Sequence, residues 1–288
     1  MANKKLKAPV NIPVEKIHPF KGHPYKVIDN EEMNNLIESI QNKGVISPIV
    51  VRPLEDTTDE YEIISGHRRL RASVKAGLDT VPALIYAVGR DEAAIMLVDS
   101  NLHREHILPS ERAFAYKLKM EAMSRQGSRS DLTSCQVGTK LRTDEIIAEN
   151  STDSARQIQR YIRLTSLIPE LLDLVDEERI AFTPAVELSY LNEVEQADLV
   201  EEIRVCDATP NLSQAQRLRA ISRDEGLTPE HIGEILAEEK ANQREKIKIP
   251  AERIRKYFPK SYTTEQIEEA IIKICESRYR ARQGRDAR

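Results

Sequence analysis

Apolar and polar residues alternate in short runs through roughly the first hundred positions, then recur every three or four residues to the end of the chain. Val10-Asn11-Ile12-Pro13-Val14 reads as a short strand, and His18 to Lys26 as a loop holding Pro and His. Asp29-Asn30-Glu31-Glu32 has the composition of a helix start, with Met33, Leu36, Ile37 and Ile40 on one face and Gly44 as the stop. Ile49-Val50-Val51-Arg52-Pro53 and Tyr61-Glu62-Ile63-Ile64 read as paired strands around the acidic turn Glu55 to Glu60. Gly66 turns the chain into a helix that runs to Gly77. Val81 to Val88 forms a further strand, and Asp91 opens a helix to about Ser100. Strands and helices so interleaved predict an α+β unit.

The pattern changes after Pro109. Ser110-Glu111-Arg112 starts a helix through Ser124, and Gln126 to Thr139, rich in Gly and Ser, reads as a loop or an insertion. Helices are predicted at about 143–150, 154–166, 169–176, 183–190, 193–205, 212–224 and 228–245. Glu238 to Lys248 alternates in charge, as a solvated linker helix does. Pro250 begins a small unit with helices near 251–257 and 263–278 and a basic tail. The domains expected are 1–108, α+β; 109–225, helical; 226–248, a charged linker helix; and 249–288, a small helical C-terminal unit.

Composition narrows the function. The 288 residues carry a net charge of -4, so a uniformly basic nucleic-acid coat protein is excluded, while a local basic face is not. With no Trp and 5% aromatic residues, base stacking on aromatic platforms is not the expected binding mode. A mean hydropathy of -0.50 and 31% charged residues describe a surface-rich helical protein without a membrane span. Cys135, Cys206 and Cys275 lie far apart, which argues against a disulfide scaffold or zinc site and fits a reducing cytoplasm. Met1 to Lys7 has no apolar core of the kind a signal peptide needs.

Two strings carry candidate chemistry. In Ser65-Gly66-His67-Arg68-Arg69-Leu70-Arg71, a glycine opens a helix whose first turns hold arginines. Helix dipoles disfavour cations at that end, so an anionic ligand accounts for Arg68 and Arg69 better than solvation does. Asp99-Ser100-Asn101-Leu102-His103-Arg104-Glu105 combines amide, guanidinium and carboxylate, a set suited to phosphates and a magnesium ion. Read alone, the second string is equally an ordinary helix end; the two together predict a polyphosphate site.

A third feature is the predicted helix pair Thr143 to Glu149 and Ser154 to Leu164. Its length and turn fit a helix-turn-helix, although Ser151-Thr152 stand where a Gly is usual. Ile158, Ile162 and Tyr161 can pack inward. Ser154, Arg156, Gln157, Gln159, Arg160 and Arg163 are the candidate DNA contacts, since such side chains reach base edges and phosphates. Without other context the pair is equally part of a helical bundle.

The order of these motifs resembles the ParB partition-protein family. Ile64-Ser65-Gly66-His67-Arg68-Arg69-Leu70-Arg71-Ala72 is similar to its Gly-Glu/His-Arg-Arg phosphate box. Ser100-Asn101-Leu102-His103-Arg104-Glu105 is similar to its Glu-Asn-x-Gln-Arg-Glu box, and Pro109-Ser110-Glu111-Arg112-Ala113 and the helix pair follow in the same order. The resemblance covers roughly residues 10–190. It implies a ParB/sulfiredoxin-like α+β domain, then an all-α helix-turn-helix domain. It also implies CTP bound by Gly66, His67, Arg68, Arg69, Asn101 and Arg104, with Asn101 near Mg2+ and the His23–Lys26 loop beside the nucleotide. A homodimer closed as a clamp on double-stranded DNA at a centromere-like site, a ParA-type Walker ATPase partner and a nucleoid-associated cytoplasmic location follow from it.

Departures modify that picture. Ser100 stands where the family has a Glu tied to metal and hydrolysis, so nucleotide binding is expected and a weak CTPase activity is left open. Ala155 replaces a common Arg, which implies a DNA site other than the usual chromosomal one. The C-terminal unit resembles ParB-like proteins of plasmids and integrative elements. Sulfiredoxin carries Gly-Cys-His-Arg where this chain has Gly66-His67-Arg68, so its nucleophile is missing. The alternatives are a transcriptional regulator of a mobile element without nucleotide switching, and a nucleotide-dependent enzyme on the same fold.

Overall fold

The computed structural model describes residues 8–55, 57, 59–102, 104, 106–130 and 142–238, with scattered positions between 254 and 278. Strands β1 (Val10–Pro13), β2 (Ile17–His18), β3 (Ile49–Pro53), β4 (Tyr61–Ser65) and β5 (Thr80–Ile85) make one sheet in the order β1-β5-β3-β4-β2. β3 runs antiparallel to β4 and parallel to β5, so the two expected central strands do pair. β2, at the edge of the loop expected from His18, was not foreseen. It pairs parallel to β4 through only two residues, Ile17 and His18.

Alternation along the strands assigns their faces. Ile49, Val51, Ile63, Val81 and Ala83 form one buried layer with Leu70. Ile64 points the other way and joins Phe20, Tyr25, Ala94, Leu97 and Val98. Helix α1 (Glu31–Lys43) starts where Asn30 accepts from Met33 N and ends at Gly44, φ 69°. Met33 and Ile40 are buried against Ala72 of α2 (His67–Lys75). Helix α3 (Arg90–Asp99) then packs along α4 (Pro109–Ser130). α4 passes through Gln126 without a break, so the expected loop does not begin there; 131–141, with Cys135, lie outside the described residues.

The rest of the first unit is helical: α5 (Thr143–Glu149), α6 (Ala155–Leu164), α7 (Pro169–Asp176), α8 (Phe182–Leu188), α9 (Glu193–Cys206), α10 (Leu212–Asp224) and α11 (Pro229–Ala237). Leu164, Leu171, Leu188, Leu199, Leu218 and Ile232 are among its core residues, each at most 1% exposed. The segment expected as a linker helix thus begins with α11, which buries Ile232, Ile235 and Leu236 in this core. Fully burying each such side chain contributes about 1.5–3 kcal/mol, which a solvated linker would forgo. Residues 239–248 lie outside the described residues.

The chain divides into compact units at Met1–Glu238 and Glu239–Arg288, with no separation near 108. In the second unit, helical residues occur at 254–255 and between 266 and 278, and Phe258 packs on Tyr262 at 6.4 Å between ring centroids. Among the described residues no helix is long and apolar enough to cross a membrane.

Candidate nucleotide and nucleic-acid sites

Gly66 adopts φ 101°, a left-handed conformation that favours glycine. A Cβ there would meet Ile49 Cγ2 at 2.9 Å and the Arg69 guanidinium at 3.1 Å. Glycine therefore lets the chain leave β4 and enter α2 against the sheet. Having no side chain, it leaves the start of α2 uncapped, and no acidic residue occupies the first turn. N–H groups in that turn stay available to an anion.

His67, in that turn, meets the loop between β2 and α1. Its ring stacks on His23 with centroids 3.7 Å apart and a 33° tilt. His23 in turn meets the Tyr25 ring edge-on at 5.6 Å, and Arg104 lies 5.7 Å from the Tyr25 centroid. Burial is the main reason that His67 is held down to about 3, with His23 and Arg104 adding to it. Burial likewise lowers His23 to about 4 and pushes the Tyr25 phenol well above its usual range. Among the described residues, His67 Nε2 and Tyr25 Oη are buried without a hydrogen-bond partner. Such groups are costly unless a ligand or water satisfies them.

The loop itself is pinned. Phe20 and Tyr25 are 2% and 5% exposed in the core beneath α3. Lys21 N donates to Glu62 Oε1 at 3.0 Å, and Glu62 Oε2 accepts from buried Arg52 Nε at 2.7 Å. Asn101 is 5% exposed at the end of α3, where its amide nitrogen donates to Leu97 O at 2.7 Å and Ser100 Oγ at 3.1 Å. Its Oδ1 is the atom left to face a cation or a phosphate-bound water. Ser100 Oγ donates to Leu97 O at 2.9 Å, and Asp99 pairs with Lys119 of α4 at 2.5 Å. Neither supplies the carboxylate missing from this box. Among the described residues no group of three or more His, Cys, Asp or Glu could hold a metal.

Of the residues expected at the nucleotide, His23, His67 and Arg104 come together beside Gly66. Arg68 is half-buried and pairs with Glu32 at 3.0 Å, an exposed bond that an anion can replace at little cost. Arg69 and Lys26 also have protein partners. Arg69 Nη1 donates to Ser47 O at 2.5 Å and Pro48 O at 2.6 Å, fixing the entry to β3. Lys26 Nζ lies 3.3 Å from both Asp173 and Asp176 of α7, and its N–H donates to Glu111 at 2.7 Å. Lys26 thus finds carboxylate partners away from the site, and Arg69 Nη1 finds backbone acceptors while the rest of its guanidinium stays beside Gly66. His103 and Glu105 lie outside the described residues. Tyr25 was not anticipated; its place directly after His23-Pro24 is the only hint the sequence holds.

The helix pair is anchored from α4. Tyr116 Oη bonds Ser151 Oγ at 2.7 Å and donates to Asp153 at 2.6 Å, which holds the turn between α5 and α6. Ser154 caps α6 by accepting from Gln157 N at 3.3 Å. Ile158 and Leu164 are buried, and Tyr161 packs inward on Phe182 and Tyr116 at 4.7 and 5.9 Å. Ser154, Arg156 and Gln159 are exposed. Gln159 donates to buried Asp144 of α5 at 2.9 Å. Arg160 bonds Gln157 and Thr183 at 3.1 and 3.0 Å and lies 4.9 Å from the Phe182 centroid. Arg163 donates to Ser189 O at 2.7 Å and packs 4.2 Å from the Tyr190 centroid. The contributions of Phe182, Thr183, Ser189 and Tyr190 were not visible in the sequence.

Fold and sites define a class: an α+β domain with an open, arginine-bearing helix start, joined to a helical module with a basic helix on its surface. Residues 2–102 match the ParB N-terminal domain model. A chromosome-partitioning protein ParB of Pseudomonas putida is 37% identical over 140 residues, 49% of this chain and 45% of that protein. The match thus spans under half of that relative's length. A nucleoid occlusion protein of Listeria monocytogenes is 30% identical over 223 residues, covering 74% of this chain and 75% of its own length. A structure of Caulobacter crescentus ParB complexed to the centromeric parS site overlaps 73% of this chain and 98% of that chain, with 23% identity and a TM-score of 0.43. The chain belongs to the ParB partition-protein family.

Proposed function

We propose that this protein is a DNA-binding partition protein whose N-terminal site takes CTP with Mg2+. In this reading two chains close as a clamp on a centromere-like site of a mobile element, and a ParA-type Walker ATPase acts on the complex at the nucleoid. The observation that carries the nucleotide reading is the uncapped start of α2, with His67 Nε2 buried and without a partner among the described residues in its first turn. Gly66, His67, Arg68 and Arg104 would meet the triphosphate, and Asn101 Oδ1 would stand near the metal. Mg2+ commonly binds through one or two protein oxygens and the substrate's phosphates, which suits a site without a carboxylate cluster. DNA would be met by Ser154, Arg156, Gln157, Gln159, Arg160 and Arg163 along α6.

The test is nucleotide titration of the purified protein, with Mg2+ and with duplex DNA. Arg68→Ala should abolish CTP binding and leave short-duplex binding intact; equal loss of both would count against separate sites. Arg160→Ala should weaken specific DNA binding by ~1–3 kcal/mol.

A second reading, nucleoid occlusion, is favoured by length of match, because the Listeria relative is matched over 75% of its length against 45% for the Pseudomonas one. DNA recovered with the protein from cells separates the two. One compact locus would support segregation, whereas many dispersed sites would support occlusion.

A further inference from the structure

The basic surface of α6 does not end with that helix. Arg156, Gln159, Arg160 and Arg163 follow i, i+3, i+4, i+7 spacing and so share the face opposite buried Ile158. Arg163 reaches past the end of α8, where Nε donates to Ser189 Oγ at 3.2 Å and Nη2 to Ser189 O at 2.7 Å. Its guanidinium carbon lies 4.2 Å from the Tyr190 ring centroid. Arg219 of α10 packs on the same ring at 3.5 Å and donates to Glu187 Oε2 at 2.7 Å. Tyr190 is nevertheless 46% exposed, and the Arg219 side chain 43%.

Two guanidiniums on one ring repel each other, and among the described residues the carboxylate bonded to the pair is Glu187 alone. Stacking on tyrosine offsets only part of that repulsion. What remains is an exposed excess of positive charge, held rigid by stacking and by the Ser189 bonds. Guanidinium and phenol are groups that contact DNA phosphates.

We propose that Arg163, Tyr190 and Arg219 form a phosphate clasp that grips the DNA backbone beside the bases met by α6. The clasp supplies sequence-independent affinity and sets how α6 enters its groove. It rests on the DNA-binding reading above.

The test measures binding of the full chain to a duplex of random sequence, and to DNA recovered with the protein, across a salt series. Arg219→Ala should weaken both to the same degree, about fivefold to tenfold, and reduce the log–log salt slope by about 0.9, the loss of one phosphate contact. Tyr190→Ala should weaken both likewise. Glu187→Gln, which frees Arg219 from its carboxylate, should tighten both several-fold. Thermal unfolding of each variant checks that the fold persists. An Arg219→Ala protein with the wild-type salt slope would overturn the clasp, as would Glu187→Gln weakening binding as much as Arg219→Ala does, the mark of a structural staple. Failure of the wild-type chain to bind either duplex would instead sink the DNA reading itself.

Discussion

His23 stacks on His67 with ring centroids 3.7 Å apart, joining the loop after β2 to the first turn of α2. Two protonated imidazoles so close would repel each other, and burial keeps both rings neutral at neutral pH. The pair therefore presents neutral nitrogen atoms to the open helix start.

This neutrality gives stability a pH dependence. An unfolded histidine takes its proton near 6.5, whereas folded His67 does so only near 3 and His23 near 4. Between those values the unfolded chain binds more protons, so stability falls as pH falls. For His67 the loss reaches about 1–2 kcal/mol between pH 7 and 5. Urea unfolding at the two pH values measures it, and His67→Gln should remove about half of the difference, His23 supplying the rest. An undiminished difference would place the proton uptake elsewhere.

Gly66→Ala should destabilise the protein by ~1–3 kcal/mol, through strain at a positive φ and a 2.9 Å approach to Ile49. It should also weaken nucleotide binding, because the start of α2 must shift. A variant with an unchanged thermal midpoint would show that the turn relaxes without cost.

Asp176 and Asp173 both meet Lys26 but stand in different surroundings. The Asp176 side chain is 7% exposed and also accepts from Ser110 Oγ and N at 2.6 and 3.0 Å, whereas that of Asp173 is 64% exposed. Asp176→Ala should cost ~1–3 kcal/mol by leaving the start of α4 unsatisfied, and Asp173→Ala under about 0.5 kcal/mol. Chemical denaturation of both variants tests the contrast; equal effects would refute it.

Tyr116→Phe removes the hydroxyl shared by Ser151 and Asp153. The expected cost is ~1–2 kcal/mol, with faster amide exchange in the turn before α6. Weaker DNA binding should accompany it, measured on the same random-sequence duplex. Protection factors equal to wild type would mean that the turn holds without Tyr116.

Much of the N-terminal fold was legible because it is specified locally. Asn30, Gly44 and Gly66 mark helix boundaries by their own chemistry, and β3 and β4 follow from runs of β-branched residues. β2 was not legible, since Ile17-His18 becomes a strand only through β4. The helix at α11 was legible but its burial was not, because its apolar residues run directly into the charged stretch after Glu238, and α9 and α10 give them something to pack on.

The amino-acid order set the helix starts, the two boxes and the basic face of α6, because caps, glycines and side-chain periodicity act within a few residues. Tertiary structure decided which cations remain available. Lys26 is spent on α7, Arg69 Nη1 is held by Ser47 and Pro48, and Ser189 positions Arg163, partners that the fold alone brings near. It also placed Tyr25 under Arg104 and brought Arg163 and Arg219 onto the Tyr190 ring. A long charged side chain takes whichever acceptor lies within reach, and reach across the fold is a property of packing that no local pattern encodes.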